Sequence, residues 1–86
     1  MLLIIKNKLD TNPNLENYKE ILLIDDGIYN ILNSNFNENN ININILKNDL
    51  DSRGIILSTE QQNVITLMNY EQFVELTVNY YPIYFI

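Results

Sequence analysis

The stretch VITLMNYEQFVELTV, residues 64–78, decides the fold because a strand pattern runs directly into a helix pattern. Residues 64–68 are mostly apolar, which is typical of a short strand covered on both faces. Asn69 and Gln72 have the spacing of a capping box, and apolar side chains then follow at helical spacing as far as Pro82, which ends the helix. A buried strand followed at once by a capped helix predicts one unit of a parallel α/β sheet.

Other apolar segments predict further strands of the same sheet. Residues 2–5 and 21–24 are unbroken apolar runs, whereas residues 41–45 alternate strictly between Ile and Asn. Such alternation indicates a strand with one buried and one polar face. We therefore expect residues 41–45 at a sheet edge, or with their Asn face against another subunit. Residues 83–86 are predicted to form a last short strand.

Helices are predicted between the strands. A short or irregular helix is expected over residues 14–20, and a second one begins at Asp25-Asp26-Gly27 after the second strand. Residues 33–40 are polar and predict a loop. A third helix is predicted over residues 47–53, where Gly54 supplies the left-handed conformation that is favoured just past a helix end.

Strands and helices thus alternate along the whole chain. This order predicts a single domain over residues 1–86 with a three-layer α/β fold, in which helices flank a small, mainly parallel sheet. A domain of this size buries about 60–65% of the surface that its unfolded chain exposes. Partner subunits are therefore the most plausible additional source of stability.

The composition excludes several kinds of chemistry. The chain has 86 residues with 0 Cys and 0 His, so it can form no disulfide, hold no persulfide and use no imidazole. No Gly-rich phosphate loop or nucleophile elbow is present, because Gly27 and Gly54 are the only glycines. We expect no enzyme activity, no metal site and no cofactor.

The charge pattern narrows the range of partners. The chain carries 11 acidic and 5 basic residues, for a formal net charge of −6, and its basic residues are scattered. Nucleic-acid binders normally present a basic face, so direct binding of RNA or DNA is not expected. The apolar N-terminal run ends at Lys6, too early for a signal peptide or a membrane span. These features predict a cytoplasmic protein with no membrane partner.

Pairs of charged residues along the chain can each be assigned more than one role. Asp25 and Asp26 follow a strand, where they would either cap the next helix or bind a cation, as in a signalling module; capping is the simpler interpretation. Glu71 and Glu75 lie one helical turn apart, which favours a solvated helix face over an acid–base pair. Asp49 and Arg53, spaced alike, are expected to pair on a helix surface.

The C-terminal region is rich in aromatic side chains. These residues would either complete the core of a small domain or form a subunit interface, where Tyr and Phe are enriched. Both interpretations stay open from the sequence. The residues concerned are Tyr70, Phe73, Tyr80, Tyr81, Tyr84 and Phe85.

Three stretches resemble the TusB/DsrH family. Residues 21–28, ILLIDDGI, are similar to that family's apolar strand and Asp-Gly turn. Residues 46–55, LKNDLDSRGI, are similar to its L-x-x-D-L-x-x-R-G stretch. Residues 64–78 resemble its apolar strand and the F-V-x-L-T-V segment that follows it, and this stretch is the most specific of the three. The stretches occur in the family's order.

The resemblance implies a fold like those of DsrE and DsrF and a place in a sulfur relay. TusB-type subunits assemble with TusC- and TusD-like subunits into a dimer of heterotrimers. That complex carries persulfide sulfur on a TusD cysteine and passes it to TusE for 2-thiolation of the tRNA wobble uridine. The resemblance therefore implies a non-catalytic subunit that scaffolds the persulfide-carrying partner.

We accordingly predict a partner interface formed by Asp26 and the C-terminal aromatic residues named above. The alternative function is an acidic α/β signalling or cation-binding module that uses Asp25 and Asp26.

Overall fold

The computed structural model describes residues 2–9, 18–32, 41–80 and 82–86. The strands and helices alternate along most of this length, and a 3₁₀ helix takes the place of the α-helix predicted after the second strand. In chain order the elements are β1 (Leu2–Ile5), β2 (Glu20–Leu23), the 3₁₀ helix (Asp25–Leu32), β3 (Asn42–Leu46), α1 (Lys47–Ser52), α2 (Thr59–Val64), β4 (Ile65–Met68), α3 (Tyr70–Asn79) and β5 (Ile83–Phe85).

Within the described residues, five strands form one parallel sheet in the order β4-β3-β2-β1-β5. The central strands are short and almost wholly buried, as expected for a parallel sheet covered on both faces. This architecture confirms the predicted three-layer α/β fold with a mainly parallel sheet.

Each face of the sheet carries its own apolar cluster. Successive side chains of a strand point to opposite faces, so Leu3 and Ile5 join one cluster whereas Leu2 and Ile4 join the other. We call the first of these the front face and the second the back face. The front-face cluster includes Ile28 and Ile31 of the 3₁₀ helix, Leu50 of α1 and Leu57, and the back face is covered by Phe73 and Leu76 of α3.

Gly27 lets the 3₁₀ helix approach the end of β1 closely. A Cβ atom at this position would lie 1.9 Å from the carbonyl oxygen of Ile5, which is shorter than any real contact. The residue is buried, and its N–H donates to the carbonyl oxygen of Ile24 at 2.9 Å. Glycine is therefore required in the Asp-Gly turn after β2, because a larger residue would overlap the backbone of β1. Gly54 has a φ of +65° just past α1, as its position in the sequence predicts.

Buried Asn30 fixes the segment after β1. Its Nδ2 donates to the carbonyl oxygens of Gly27, at 2.8 Å, and Asn7, at 3.0 Å. Its Oδ1 accepts the N–H of Leu9 at 2.9 Å. A single amide thus satisfies backbone groups of the 3₁₀ helix and of the chain that leaves β1.

The expected edge position of residues 41–45 is wrong. Strand β3 spans Asn42–Leu46 and lies between β2 and β4, with Asn42 opposite Glu20 and Ile43 opposite Ile65. Alternation of Ile and Asn correctly indicated a strand with one polar face. It did not indicate an edge, because the polar side chains find hydrogen-bonding partners on the neighbouring strand.

Some helix boundaries also differ from the prediction. Residues 59–64 form α2, so Val64 ends a helix rather than starting the strand, which begins at Ile65. The expected helix over 14–20 lies outside the described residues for 14–17, and Glu20 opens β2 instead of closing a helix. The loop predicted over 33–40 lies outside the described residues as well.

Candidate functional site

The carboxyl ends of β2 and β3 bring a group of charged side chains together. Both strands end at the same edge of the sheet, where ligands commonly bind in parallel α/β folds. Asp25 follows β2 with a φ of 48°, a left-handed conformation that Asp tolerates better than most residues. Its N–H donates to Oδ2 of Asp49 on α1 at 2.9 Å, and this bond joins the two strand ends.

Arg53 links α1 to the start of the 3₁₀ helix. Its Nη2 donates to Oδ1 of Asp26 at 3.1 Å, and its Nη1 donates to the carbonyl oxygen of Asp49 at 3.2 Å. The guanidinium carbon lies 5.9 Å from the ring centroid of Tyr29, within the range of a cation–π contact. The arginine side chain is 19% exposed and that of Asp26 is 67% exposed.

The expected surface ion pair between Asp49 and Arg53 does not form. Arg53 reaches across to Asp26, while the Asp49 carboxylate accepts the N–H of Asp25. The i,i+4 ion pair on α1 is instead Lys47 with Asp51, at 2.9 Å. Spacing along one helix could not reveal this exchange, because the competing carboxylate, Asp26, comes from the first turn of the 3₁₀ helix.

Two of the carboxylates at this edge, those of Asp26 and Asp49, are engaged within the chain. Asp49 is bound by a backbone N–H and Asp26 by the guanidinium of Arg53. Within residues 2–9, 18–32, 41–80 and 82–86, no three Asp or Glu side chains lie close enough together to hold a metal ion. The arrangement therefore joins the 3₁₀ helix to α1, and the cation-binding alternative at Asp25 and Asp26 stays a prediction.

The predicted aromatic residues occupy different environments. Phe73 is partly buried against the back-face cluster and anchors α3. Tyr84 packs edge-to-face on Tyr18, with ring centroids 5.9 Å apart. Tyr70, Tyr80 and Phe85 are exposed, and Phe85 lies on edge strand β5. Tyr81 is outside the described residues. The structure thus brings part of the predicted set to the surface of α3, of the residue that follows it and of β5.

Two parallel rows of exposed side chains run along α3. Tyr70, Val74 and Val78 recur at i,i+4 spacing and are 56–60% exposed. Glu71 and Glu75 form the second row, one residue further along the helix, and are also exposed. The sequence analysis did not predict the apolar row as an exposed surface. Its regular spacing beside the inward-facing row could have revealed it.

A buried polar network lies on the back face of the sheet. Glu20 opens β2 and is 9% exposed, and its two carboxylate oxygens accept the side-chain amides of Asn42, at 2.8 Å, and Asn44, at 2.9 Å. Asn44 is itself buried and also donates to the carbonyl oxygen of Ile21 at 3.1 Å. Paired in this way, the carboxylate is tolerated inside the protein. The sequence reasoning did not find this network.

An open apolar pocket of about 320 Å³ lies beside β4. Its polar lining residue, Gln62, donates to the carbonyl oxygen of Leu57 at 3.2 Å. Without converging polar groups, the pocket defines no ligand chemistry. Its lining residues are Leu50, Leu57, Gln62, Ile65 and Leu67.

The fold and these surfaces define a class of protein. The chain is a small α/β protein with a five-stranded parallel sheet, no thiol, no imidazole and exposed apolar side chains on its last helix. In the parts of the chain that the structure describes, no helix has the length and apolar character needed to cross a membrane.

The family follows from comparison with known proteins. The model of the DsrH-like protein family matches residues 6–82, and the chain belongs to this family. The matched range contains all three stretches of resemblance, so the resemblance to the TusB/DsrH family is confirmed. No curated protein and no solved structure matches the chain. Membership supports a role related to sulfur relay, in a family of non-catalytic subunits.

Proposed function

We propose that this chain is a non-catalytic subunit of a cytoplasmic sulfur-relay complex that serves 2-thiolation of the tRNA wobble uridine. In this role it scaffolds the partner subunit whose cysteine carries the persulfide. The observation that carries the proposal is the family match over residues 6–82 in a chain with 0 Cys.

The chemistry of sulfur transfer explains why the role must be indirect. A persulfide forms on a thiolate, and this chain has no thiol to supply one. The chain therefore contributes through the surfaces that it presents to other subunits. The proposed partners are TusC- and TusD-like subunits in a dimer of heterotrimers, with an indirect link to TusE.

Exposed aromatic side chains supply part of the proposed contact surface. Tyr70, Tyr80, Tyr84 and Phe85 are 39–61% exposed, and Tyr and Phe are enriched in protein interfaces. A short domain gains stability when such side chains are buried against a partner. Asp26 is also exposed and would lie at a polar rim, because its ion pair with Arg53 leaves it in solvent.

Deleting the gene for this chain tests the proposal. The thiolated fraction of the target tRNAs is measured by nucleoside mass spectrometry in the deletion strain, in the strain complemented with the wild-type chain and in a strain that lacks the TusD-like subunit. We expect thiolation to fall to the level of the TusD-like deletion and to return on complementation. Full thiolation without the chain would contradict the proposed function.

A further inference from the structure

The apolar row Tyr70, Val74 and Val78 is not needed to hold α3 on the sheet. Phe73 and Leu76 point inward on the same helix and pack against Leu2, Ile4, Leu22 and Met68 of the back-face cluster. The row remains 56–60% exposed after this packing is complete. Large apolar side chains in contiguous exposed positions mark interaction surfaces more often than isolated ones do.

The geometry of the row suits contact with another helix. Side chains at i, i+4 and i+8 form one ridge on a helix surface, and such ridges pack into the groove of a facing helix. The capping box at the start of α3 holds this ridge in place, since Asn69 Oδ1 accepts the N–H of Gln72 at 2.9 Å and Gln72 Oε1 accepts the N–H of Asn69 at 2.9 Å.

The carboxylates beside the row specify the charge of the partner. Glu71 and Glu75 are like charges one turn apart, which slightly destabilises an isolated helix. Among the described residues, the ion pairs are Lys47 with Asp51 and Arg53 with Asp26, so no described cation pairs with either glutamate. A partner with Lys or Arg beside its apolar contact would relieve this repulsion and speed association.

The same charges argue against a second copy of this chain as the partner. Two copies that met through α3 would bring four glutamates of the same sign together, and each chain already carries a net charge of −6. Juxtaposed like charges disfavour such a contact.

We infer that Tyr70, Val74 and Val78, bordered by Glu71 and Glu75, form the docking ridge for a subunit that presents an apolar helix face rimmed by Lys or Arg. The inference deepens the proposed function and rests on it for the identity of the partner, a TusC- or TusD-like subunit.

Matched valine substitutions test the ridge. Val74→Asn removes apolar surface from α3, and Val64→Asn makes the same change at the end of α2, where Val64 is 62% exposed. Asn and Val have similar helix propensities, so both variants are expected to fold, which circular dichroism checks. Affinity for the purified TusC–TusD-like pair is measured by titration calorimetry. We expect Val74→Asn to weaken binding about tenfold and the Val74→Asn, Val78→Asn double variant to weaken it further, while Val64→Asn stays within about twofold.

A charge variant tests the rim of the ridge in the same assay. Glu71→Gln with Glu75→Gln is expected to slow association about threefold to tenfold at low salt and to reduce its salt dependence, whereas Glu60→Gln on α2 leaves both unchanged. If the valine and the glutamate variants of α3 all bound with wild-type affinity, the assignment of the ridge as a docking surface would be overturned. Dimerisation of the wild-type chain that Val74→Asn abolishes would overturn the assigned partner. A wild-type chain that binds neither subunit would instead overturn the proposed function itself.

Discussion

Gly27 makes the junction between β2 and the 3₁₀ helix possible, because its side chain is a single hydrogen atom. Its Cα faces the carbonyl oxygen of Ile5, and the missing Cβ leaves the space that the backbone of β1 fills. Because that obstacle is backbone rather than a flexible side chain, it cannot move aside without disturbing β1, an interior strand of the sheet.

We therefore predict that Gly27→Ala lowers the free energy of unfolding by more than about 2 kcal/mol, since a forced overlap displaces core backbone. Gly54→Ala is the matched control, because Gly54 has a positive φ but open space around its Cα. Its cost is about 1 kcal/mol from backbone strain alone. Urea unfolding followed by circular dichroism measures both, and equal losses would contradict the steric account.

The buried glutamate provides a second test at the scale of the residue. Asn44→Ala leaves one oxygen of the Glu20 carboxylate without its amide donor inside the protein, and we predict a loss of about 2–3 kcal/mol. Asn42→Ala removes the other donor at an exposed position, where water replaces it, and should cost less than about 1 kcal/mol. Urea denaturation compares the two variants, and the same loss in both would show that the network is not buried as described.

At the scale of the element, α3 depends on its first turn. The capping box of Asn69 and Gln72 satisfies backbone N–H groups that an α-helix leaves unpaired at its start. Asn69→Ala should reduce the free energy of unfolding by about 1 kcal/mol, as loss of a cap commonly does.

Asn79→Ala is the control for the cap, because Asn79 lies at the other end of α3 and is exposed. It should change the free energy of unfolding by less than about 0.5 kcal/mol. A loss at Asn79 as large as that at Asn69 would mean that the cap does not stabilise the helix. Thermal unfolding of both variants under one set of conditions decides the question.

The same elements show what the sequence could reveal. The capping box of α3 and the apolar run of β1 are local patterns, and both were predicted correctly. Helix α2 was missed, although Ser58 and Gln61 form a capping box that the sequence contains. The interior position of β3 depends on Glu20, which precedes its partner Asn44 by 24 residues. The residue pattern along β3 alone carries no information about a hydrogen-bonding partner on another strand.

The candidate site was less accessible to sequence reasoning than the fold. Arg53 has a carboxylate at i−4, yet it pairs with Asp26, which is 27 residues away in the sequence. Aromatic content pointed toward the C-terminal region, but only the structure separates Phe73, which packs inward, from Tyr70, which is exposed. The predicted interface itself stays a prediction, because it depends on contacts with another chain.

At the scale of the whole molecule, the sheet is well packed on both faces, but part of the molecular surface is apolar and exposed. Both faces of the sheet bury apolar clusters, and the strands β4 and β5 form its two edges. Exposed apolar side chains remain on α3 and β5, while the sequence offers no thiol. We propose that a molecule of this kind contributes to sulfur transfer by assembly rather than by bonding sulfur.

Native mass spectrometry of the chain, expressed together with the TusC- and TusD-like proteins of the same genome, tests this claim most directly. The account predicts one species that contains two copies of each of the three chains, with sulfur bound only to the TusD-like subunit. A chain that stays monomeric in the presence of both proteins, or that itself gains mass from sulfur, would contradict it.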